Sequence, residues 1–308
     1  MGADHNNALL MPSVYDVCAV GHITRDRVRT EDQVRQQPGG SAYYLSLVLR
    51  RLGRQVAVVT KMAPADELLL LMELKTEKID VSCTYSRTTT TFENIYPHRN
   101  SDLRVHKVNS VAAPFSPTDL SGVRARFFHL GPLTTREMSL EFLRAVSAKG
   151  DVSLDVQGLV RNLIGNEVKM EAWSDMEEGL DVVSILKANE EEARVLTREH
   201  DPERAARRLA QLVGRAPGEV IVTLGGRGAV ICVADRLYRI PPVPASSIVD
   251  VTGCGDTFLA AYLHRRLESV DVERAGRFAS AAATLALERF GPLRATEKDV
   301  EDTLARIS

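Results

Sequence analysis

Short runs of consecutive apolar, often β-branched residues alternate along this chain with longer segments whose apolar positions recur every three or four residues. The short runs occupy residues 14–20, 55–59, 126–130, 152–155, 182–186, 219–224 and 229–233. Apolar side chains at successive positions predict strands covered on both faces, as in a parallel sheet, because such a strand has no solvent face to alternate towards. The longer segments, residues 41–52, 139–147, 190–197, 202–213, 256–267, 272–288 and 296–307, predict helices. Residues 68–71, four leucines, read as part of a further helix packing inward. The alternation predicts an α/β fold, a doubly wound, mostly parallel sheet with helices on both faces and right-handed crossovers.

Residues 88–108 break the pattern. Two extended segments flank the polar stretch His98-Arg99-Asn100-Ser101-Asp102, which predicts a β-hairpin at the sheet edge or over a cleft. No repeat, low-complexity tract or linker divides the chain, so residues 1–308 read as a single domain.

Charge and cysteine usage narrow the function classes. With 39 basic against 41 acidic side chains and a net charge of −2, the chain has no electrostatic reason to bind nucleic acid or an anionic membrane. The cysteines at 18, 83, 232 and 254 have no metal-ligand spacing, and Cys18 and Cys232 sit inside apolar runs, as reduced, buried thiols do. His22, His98, His106 and His129 likewise lack ligand spacing and read as core or surface residues. Without a signal-peptide pattern or a membrane-length apolar run, the expected location is the cytoplasm.

Candidate chemistry concentrates at the ends of the predicted strands. Asp250-Val251-Thr252-Gly253-Cys254-Gly255-Asp256 runs straight into an apolar helical segment. Its glycines allow close backbone approach to a ligand, and a helix start supplies unpaired N–H donors and a positive dipole end. Asp256 at the rim of such an anion site suits a base that takes a proton from a hydroxyl. A capped turn would produce a similar local pattern. Four further strand-end stretches join it: residues 21–26 with 38–42, 155–161, 187–192 and 223–228. Each alone is compatible with turn or cap chemistry, but ligands in open α/β sheets bind beyond the carboxyl ends of strands, where all of these should converge.

Together these residues resemble the ribokinase-like (PfkB) family of small-molecule kinases over roughly residues 14–293. The resemblance implies a three-layer kinase domain whose lid is reduced, contributed by about residues 22–38 and 88–108. It implies that Asp256 is the catalytic base and that Gly253, Cys254 and Gly255 form the anion hole. Asn189 and Glu192 match a pattern that helps place Mg²⁺, Glu192 acting indirectly through water. Thr223, Gly225, Gly226, Gly228 and Thr252 match residues lining the ATP site, and Asp26, Gly39 and Gly40 match the acceptor site. Cys254 stands where alanine is usual, and Tyr44 where many sugar kinases of the family carry an acceptor-binding asparagine.

Shorter similarities to myo-inositol kinases, at residues 39–42, 88–96, 104–106, 155–161 and 186–188, point to a cyclic polyol acceptor. Asp26, Asn94, Asp155, Gln157 and Arg161 offer the donors and acceptors that vicinal hydroxyls require, and Arg161 is equally suited to the transferred phosphate. Phe92, Tyr43 and Tyr44 offer a stacking platform for a nucleoside, the rival acceptor beside ribose- or fructose-type sugars. The expected partners are the small acceptor and ATP, in a monomer or homodimer. A non-catalytic ligand sensor would not need both Asp256 and the Asn189/Glu192 pair, and a dinucleotide oxidoreductase lacks its glycine fingerprint after the first strand. A thiol at a helix N-terminus also leads one to expect a lowered pKa at Cys254.

Overall fold

The first strand is buried along four consecutive residues, Val17 to Val20, and those residues serve two different cores. Val17 and Ala19 join one, Cys18 and Val20 the other. The computed structural model describes residues 14–29, 34–95 and 105–306. In chain order, β1 (Tyr15–Val20), β2 (Thr24–Arg29) and β3 (Val34–Gly39) lead to α1 (Ser41–Arg51), β4 (Val56–Met62), α2 (Glu67–Thr76) and β5 (Asp80–Tyr85). Then come β6 (Thr91–Ile95), β7 (Val105–Ser110), β8 (Ala125–Leu130), α3 (Leu140–Ser147), β9 (Asp151–Asp155), β10 (Arg161–Ile164), β11 (Glu167–Met170) and α4 (Met176–Leu180). β12 (Ile185–Asn189), α5 (Glu190–Thr197), α6 (Pro202–Ala210), β13 (Glu219–Thr223), β14 (Ala229–Val233) and β15 (Arg236–Ile240) follow. The helices α7 (Cys254–Leu267), α8 (Val272–Leu287) and α9 (Glu297–Ala305) close the described chain.

Nine strands form the main sheet in the order β15-β14-β13-β12-β9-β8-β1-β4-β5. From β13 to β5 every neighbour pairs in parallel, and β14 and β15 add an antiparallel edge. Helices α1, α2, α7 and α8 cover one face, while α3, α5 and α6 cover the other. The chain builds outwards from β1 to β5, then returns to β8 and builds the opposite way. The order therefore reverses between β1 and β8, where α/β sheets open a ligand crevice.

A second sheet of six strands, β10-β11-β7-β6-β2-β3, stands over that edge. The expected hairpin is present as β6 and β7, paired antiparallel, and its turn lies outside the described residues. Residues 161–170, not anticipated as strands, extend the sheet as β10 and β11. The lid is thus larger than the reduced one expected. Phe92 and Val108 of this sheet form a small apolar cluster with Leu133, which follows β8 of the main sheet. On α2, Leu70, Leu71 and Leu74 pack inward but Leu68 and Leu69 are exposed, since a helix cannot turn four successive residues to one side.

Helix α7 is held to the sheet by one carboxylate. Glu219, wholly buried at the start of β13, accepts hydrogen bonds from Tyr262 Oη at 2.5 Å and from Arg266 Nη2 at 2.6 Å. Both donors lie in the C-terminal half of α7, so its N-terminus is directed to the opposite, carboxyl edge of the strands. Arg266→Met would leave a buried carboxylate without its cation. Its unfolding free energy in urea is expected to fall by about 3 kcal/mol, and an unchanged midpoint would refute this account of the anchor.

Candidate active site

The carboxyl edge of the main sheet and the second sheet enclose a cleft of about 620 Å³. At its floor the chain turns from residue 250 into α7. Thr252 N–H donates to Asp250 Oδ1 at 2.9 Å, and Gly253 takes φ +77° as the residue capping the helix. A Cβ on Gly253 would stand 2.3 Å from the Tyr44 ring, so both backbone and space require glycine there. The N–H groups of the first turn of α7 have no acceptor within the helix and carry its positive dipole end.

Asp256 sits in that first turn. Its Oδ1 accepts a hydrogen bond of 2.5 Å from Ser41 Oγ. Burial and the negative charge of Asp155 push its pKa up to about 6, against the opposing pull of Lys187, the Ser41 hydroxyl and Arg161. The carboxylate is therefore a far better proton acceptor than a solvated aspartate, while still ionised near neutral pH.

Lys187, on β12, reaches the same point from the sheet. Its Nζ donates to Asp155 Oδ2 at 2.8 Å and lies 3.1 Å from where a Cβ on Gly255 would stand. Burial alone would lower its pKa, but Asp155, Glu192 and Asp256 outweigh burial and raise it, so the ammonium stays charged. The other oxygen of Asp155, Oδ1, accepts from Gln157 N–H at 3.0 Å.

Asn189 and Glu192 cap α5 reciprocally. Asn189 Oδ1 accepts from Glu192 N–H and Glu192 Oε2 accepts from Asn189 N–H, each at 2.8 Å. The cap reading and the pairing of these two residues are thus one arrangement. Glu192 Oε1 is buried without a hydrogen-bond partner among the described residues, and burial raises the pKa of the group.

On the lid side, Asp26 Oδ1 accepts from Thr24 Oγ1 at 2.6 Å. A Cβ on Gly39 would stand 2.3 Å from Asp26 Oδ2, so this glycine makes room for the carboxylate. Phe92, Leu133, Val168 and Met170 give the lid side of the cleft an apolar wall.

Of the residues singled out in the sequence, Asp26, Gly40, Asp155, Gln157, Arg161, Asn189, Thr223, Gly225, Thr252, Gly253, Gly255 and Asp256 all line this cleft. Gly39, Glu192 and Cys254 are not part of the lining, but each adjoins or bonds a residue that is. Gly226 and Gly228 stand apart from the lining: Gly226 has nothing near its Cβ position, and at Gly228 a Cβ would meet Ile240 O at 2.1 Å, a packing requirement of the β15 edge. Asn94 lies on β6 in register with Val28 and His106, its side chain outside the described residues. Tyr44 and Phe92 line the cleft, whereas the Tyr43 hydroxyl is tied to Glu73 on α2. His22 is a core residue, bonded to Ala113 O and Thr90 Oγ1, and His98 lies outside the described residues.

Lys187 and His129 received no role at the site from the sequence: Lys187 stood only within the stretches 186–188 and 187–192, and His129, read as core or surface, is buried as a core residue. Each had a signal: a lysine inside Ile185-Leu186-Lys187-Ala188 and a histidine inside Phe127-Phe128-His129-Leu130 are polar groups on strands covered on both faces. A buried polar group there needs a partner. Among the described residues, His264, Glu268 and Glu297 come close enough to hold a metal ion. Arg54 Nε donates to His264 Nδ1 at 2.9 Å, which leaves the proton on Nε2, and Arg54 and Arg265 already neutralise the carboxylates. That group is an ion-pair network.

The sequence profile of the pfkB family carbohydrate kinases matches residues 14–299. A ribokinase of Arabidopsis thaliana is 31% identical over 204 residues, covering 63% of this chain and 50% of that protein. The chain spans about half the length of that relative and less of some others. A cytidine kinase of Thermococcus kodakarensis is 25% identical over 293 residues, 90% of this chain and 97% of the relative. Among solved structures, a pyrophosphate-dependent kinase in the ribokinase family, complexed with a pyrophosphate analogue and myo-inositol, superposes with a TM-score of 0.83 at 24% identity, covering 93% of this chain and 99% of that one.

The expectation for Cys254 is overturned. Its thiol pKa is pushed up to about 12, by burial first and then by the carboxylates of Asp250 and Asp256. Sγ turns away from the cleft towards Asp250 O, 3.7 Å away, and packs against the core. The nearby negative charges and lost hydration outweigh the helix dipole. Iodoacetamide at pH 7.5 is expected to label Cys254 at least about tenfold more slowly than a free cysteine; labelling followed by mass spectrometry at the free-thiol rate would contradict this.

Proposed function

The chain belongs to the pfkB family of carbohydrate kinases, and from that premise we propose that it is a phosphotransferase acting on a hydroxyl of a small cyclic polyol, best represented by myo-inositol, using Mg·ATP. The observation that carries the reading is Asp256: a carboxylate with its pKa raised to about 6, set on the first turn of α7 beside the Lys187 ammonium. The acceptor hydroxyl gives its proton to Asp256 while its oxygen attacks the terminal phosphorus of the donor. The bond from that phosphorus to the bridging oxygen breaks, and its electron pair leaves with ADP. Charge growing on the transferring group is met by the N–H groups at the start of α7 and by Lys187.

Mg²⁺ fits the residues present. The unpartnered oxygen of Glu192 suits a carboxylate that accepts hydrogen bonds from metal-bound water, because Mg²⁺ keeps much of its hydration shell. Asn189 and Glu192 would hold the hydrated ion, which when bound neutralises phosphate charge.

The acceptor reading rests on the two-sided character of the cleft. Asp26, Asp155, Gln157 and Arg161 offer polar groups to ring hydroxyls, opposite the C–H-compatible wall of Phe92, Leu133, Val168 and Met170. Tyr44 and Phe92 in the same cleft support a second reading, a nucleoside stacked on an aromatic ring.

Product formation from myo-inositol, ribose, fructose, adenosine and cytidine, each offered with Mg·ATP and with Mg·pyrophosphate, separates these readings. The highest kcat/KM is expected for myo-inositol with ATP; preference for a nucleoside would overturn the acceptor, and turnover with pyrophosphate alone the donor. Asp256→Asn should lower kcat by roughly 10²–10⁴-fold with ATP binding retained. In the wild type the base works ionised, so kcat/KM should fall as pH drops through about 6, and an acid limb near 4 would count against a raised pKa.

A further inference from the structure

From the cleft wall, where Ser41 stands beside Asp256, a line of polar side chains runs inward that the proposed chemistry does not yet use. Ser41 Oγ is 2.5 Å from Asp256 Oδ1 and 3.1 Å from His129 Nε2. His129 Nδ1 is 3.3 Å from Ser153 Oγ. Ser41, His129 and Ser153 are all buried, on α1, β8 and β9 respectively. The pairing has been given room: a Cβ on Gly131 would stand 2.6 Å from Ser41 Cβ and 3.2 Å from His129 Nε2.

Proton counting fixes the direction of every bond. An ionised Asp256 only accepts, so the single hydroxyl proton of Ser41 points to Oδ1. Ser41 Oγ must then accept from His129, which places the ring proton on Nε2 and leaves Nδ1 bare. Nδ1 in turn accepts from Ser153. Burial lowers the His129 pKa to about 4, so the ring stays neutral and the line cannot collapse into an ion pair.

Building on the reading of Asp256 as the base, we propose that Ser41 and His129 are positioning residues that orient its carboxylate, dedicating Oδ1 to the buried line and Oδ2 to the proton of the acceptor. The line does a second thing: it stabilises the ionised form. Asp256 sits among Asp155, whose charge favours the protonated form, and Lys187 and Arg161, which favour the ionised one. Tyr44 and Cys254 also feel its charge, with their pKa values held high by burial first, and Asp250 and Asp26 act on Tyr44 in turn. None of these groups is altered by changing the line, so a shift on removing Ser41 reports the line itself.

The test pairs kinetics with a readout independent of turnover. Ser41→Ala is expected to lower kcat at least about tenfold and to move the acid limb of kcat/KM up by about one pH unit, with a small change in donor KM. His129→Leu should produce the same upward shift. His129→Gln, whose amide supplies an N–H in place of Nε2–H, should restore most of both. Folded variants, checked by thermal melting, with an unmoved acid limb would overturn the proposal. In the wild-type protein, ¹⁵N NMR should find His129 as the neutral Nε2–H tautomer from pH 7 to 9, where Asp256 is ionised. The Nδ1–H tautomer or an imidazolium would overturn the line even if no variant folds. Should Asp256→Asn instead keep its activity, the base reading fails while the tautomer measurement still reports on the line.

Discussion

Three carboxylates, Asp155, Glu192 and Asp256, converge on the buried ammonium of Lys187. Taken out of water without a cation, such a group of acids would protonate, and a protonated Asp256 could take no proton from a hydroxyl. The lysine holds them at workable charge, and its position follows from the sheet. β12 lies between β9, which ends in Asp155, and β13, so Lys187 and Asp155 are neighbours in register. The remaining parts are arranged around that charge: α7 brings its N-terminus to it, Gly255 keeps the approach open, and Arg161 enters from the lid.

This balance separates two kinds of aspartate. Asp155 is fixed through both oxygens, one accepting from Lys187 and one from the Gln157 N–H, with lone pairs to spare for a ligand. Asp256 has one oxygen held by Ser41 and a pKa raised by burial and by the charge of Asp155. Here the anchored acid belongs to the sheet and the adaptable one to the helix.

Much of this was legible in the chain. The parallel strands are readable because a strand buried on both faces must be apolar at every position, as Val17 to Val20 are, and the glycines at 253 and 255 announced a backbone site. What escaped has physical reasons. β5 is an edge strand whose exposed positions carry polar residues, so it lacks a continuous apolar run. β10 and β11 pair mainly with each other and carry mixed sequences such as Arg-Asn-Leu-Ile, whose extended state depends on partners distant in the chain. Lys187 and His129 were visible as misfits in apolar runs, but what they meet is set by tertiary neighbours from other strands. The Cys254 thiol misled because a helix terminus is local and readable, while the two carboxylates and the burial that outweigh it are assembled by the fold.

The second sheet grows directly out of the strands that carry the chemistry. β2 begins four residues after β1 ends, and β10 starts at Arg161, a single short turn beyond Asp155. Asp26 and Arg161 therefore ride on the lid, whereas Asp155, Lys187 and Asp256 belong to the main sheet and its helix. Under the proposed function a ligand would meet two separable surfaces, the lid groups helping to select the acceptor and Lys187 with Asp256 handling the phosphoryl group. Divergence in the lid strands can then change what is recognised while the transfer apparatus stays intact, so the two functions are free to evolve at different rates within one chain.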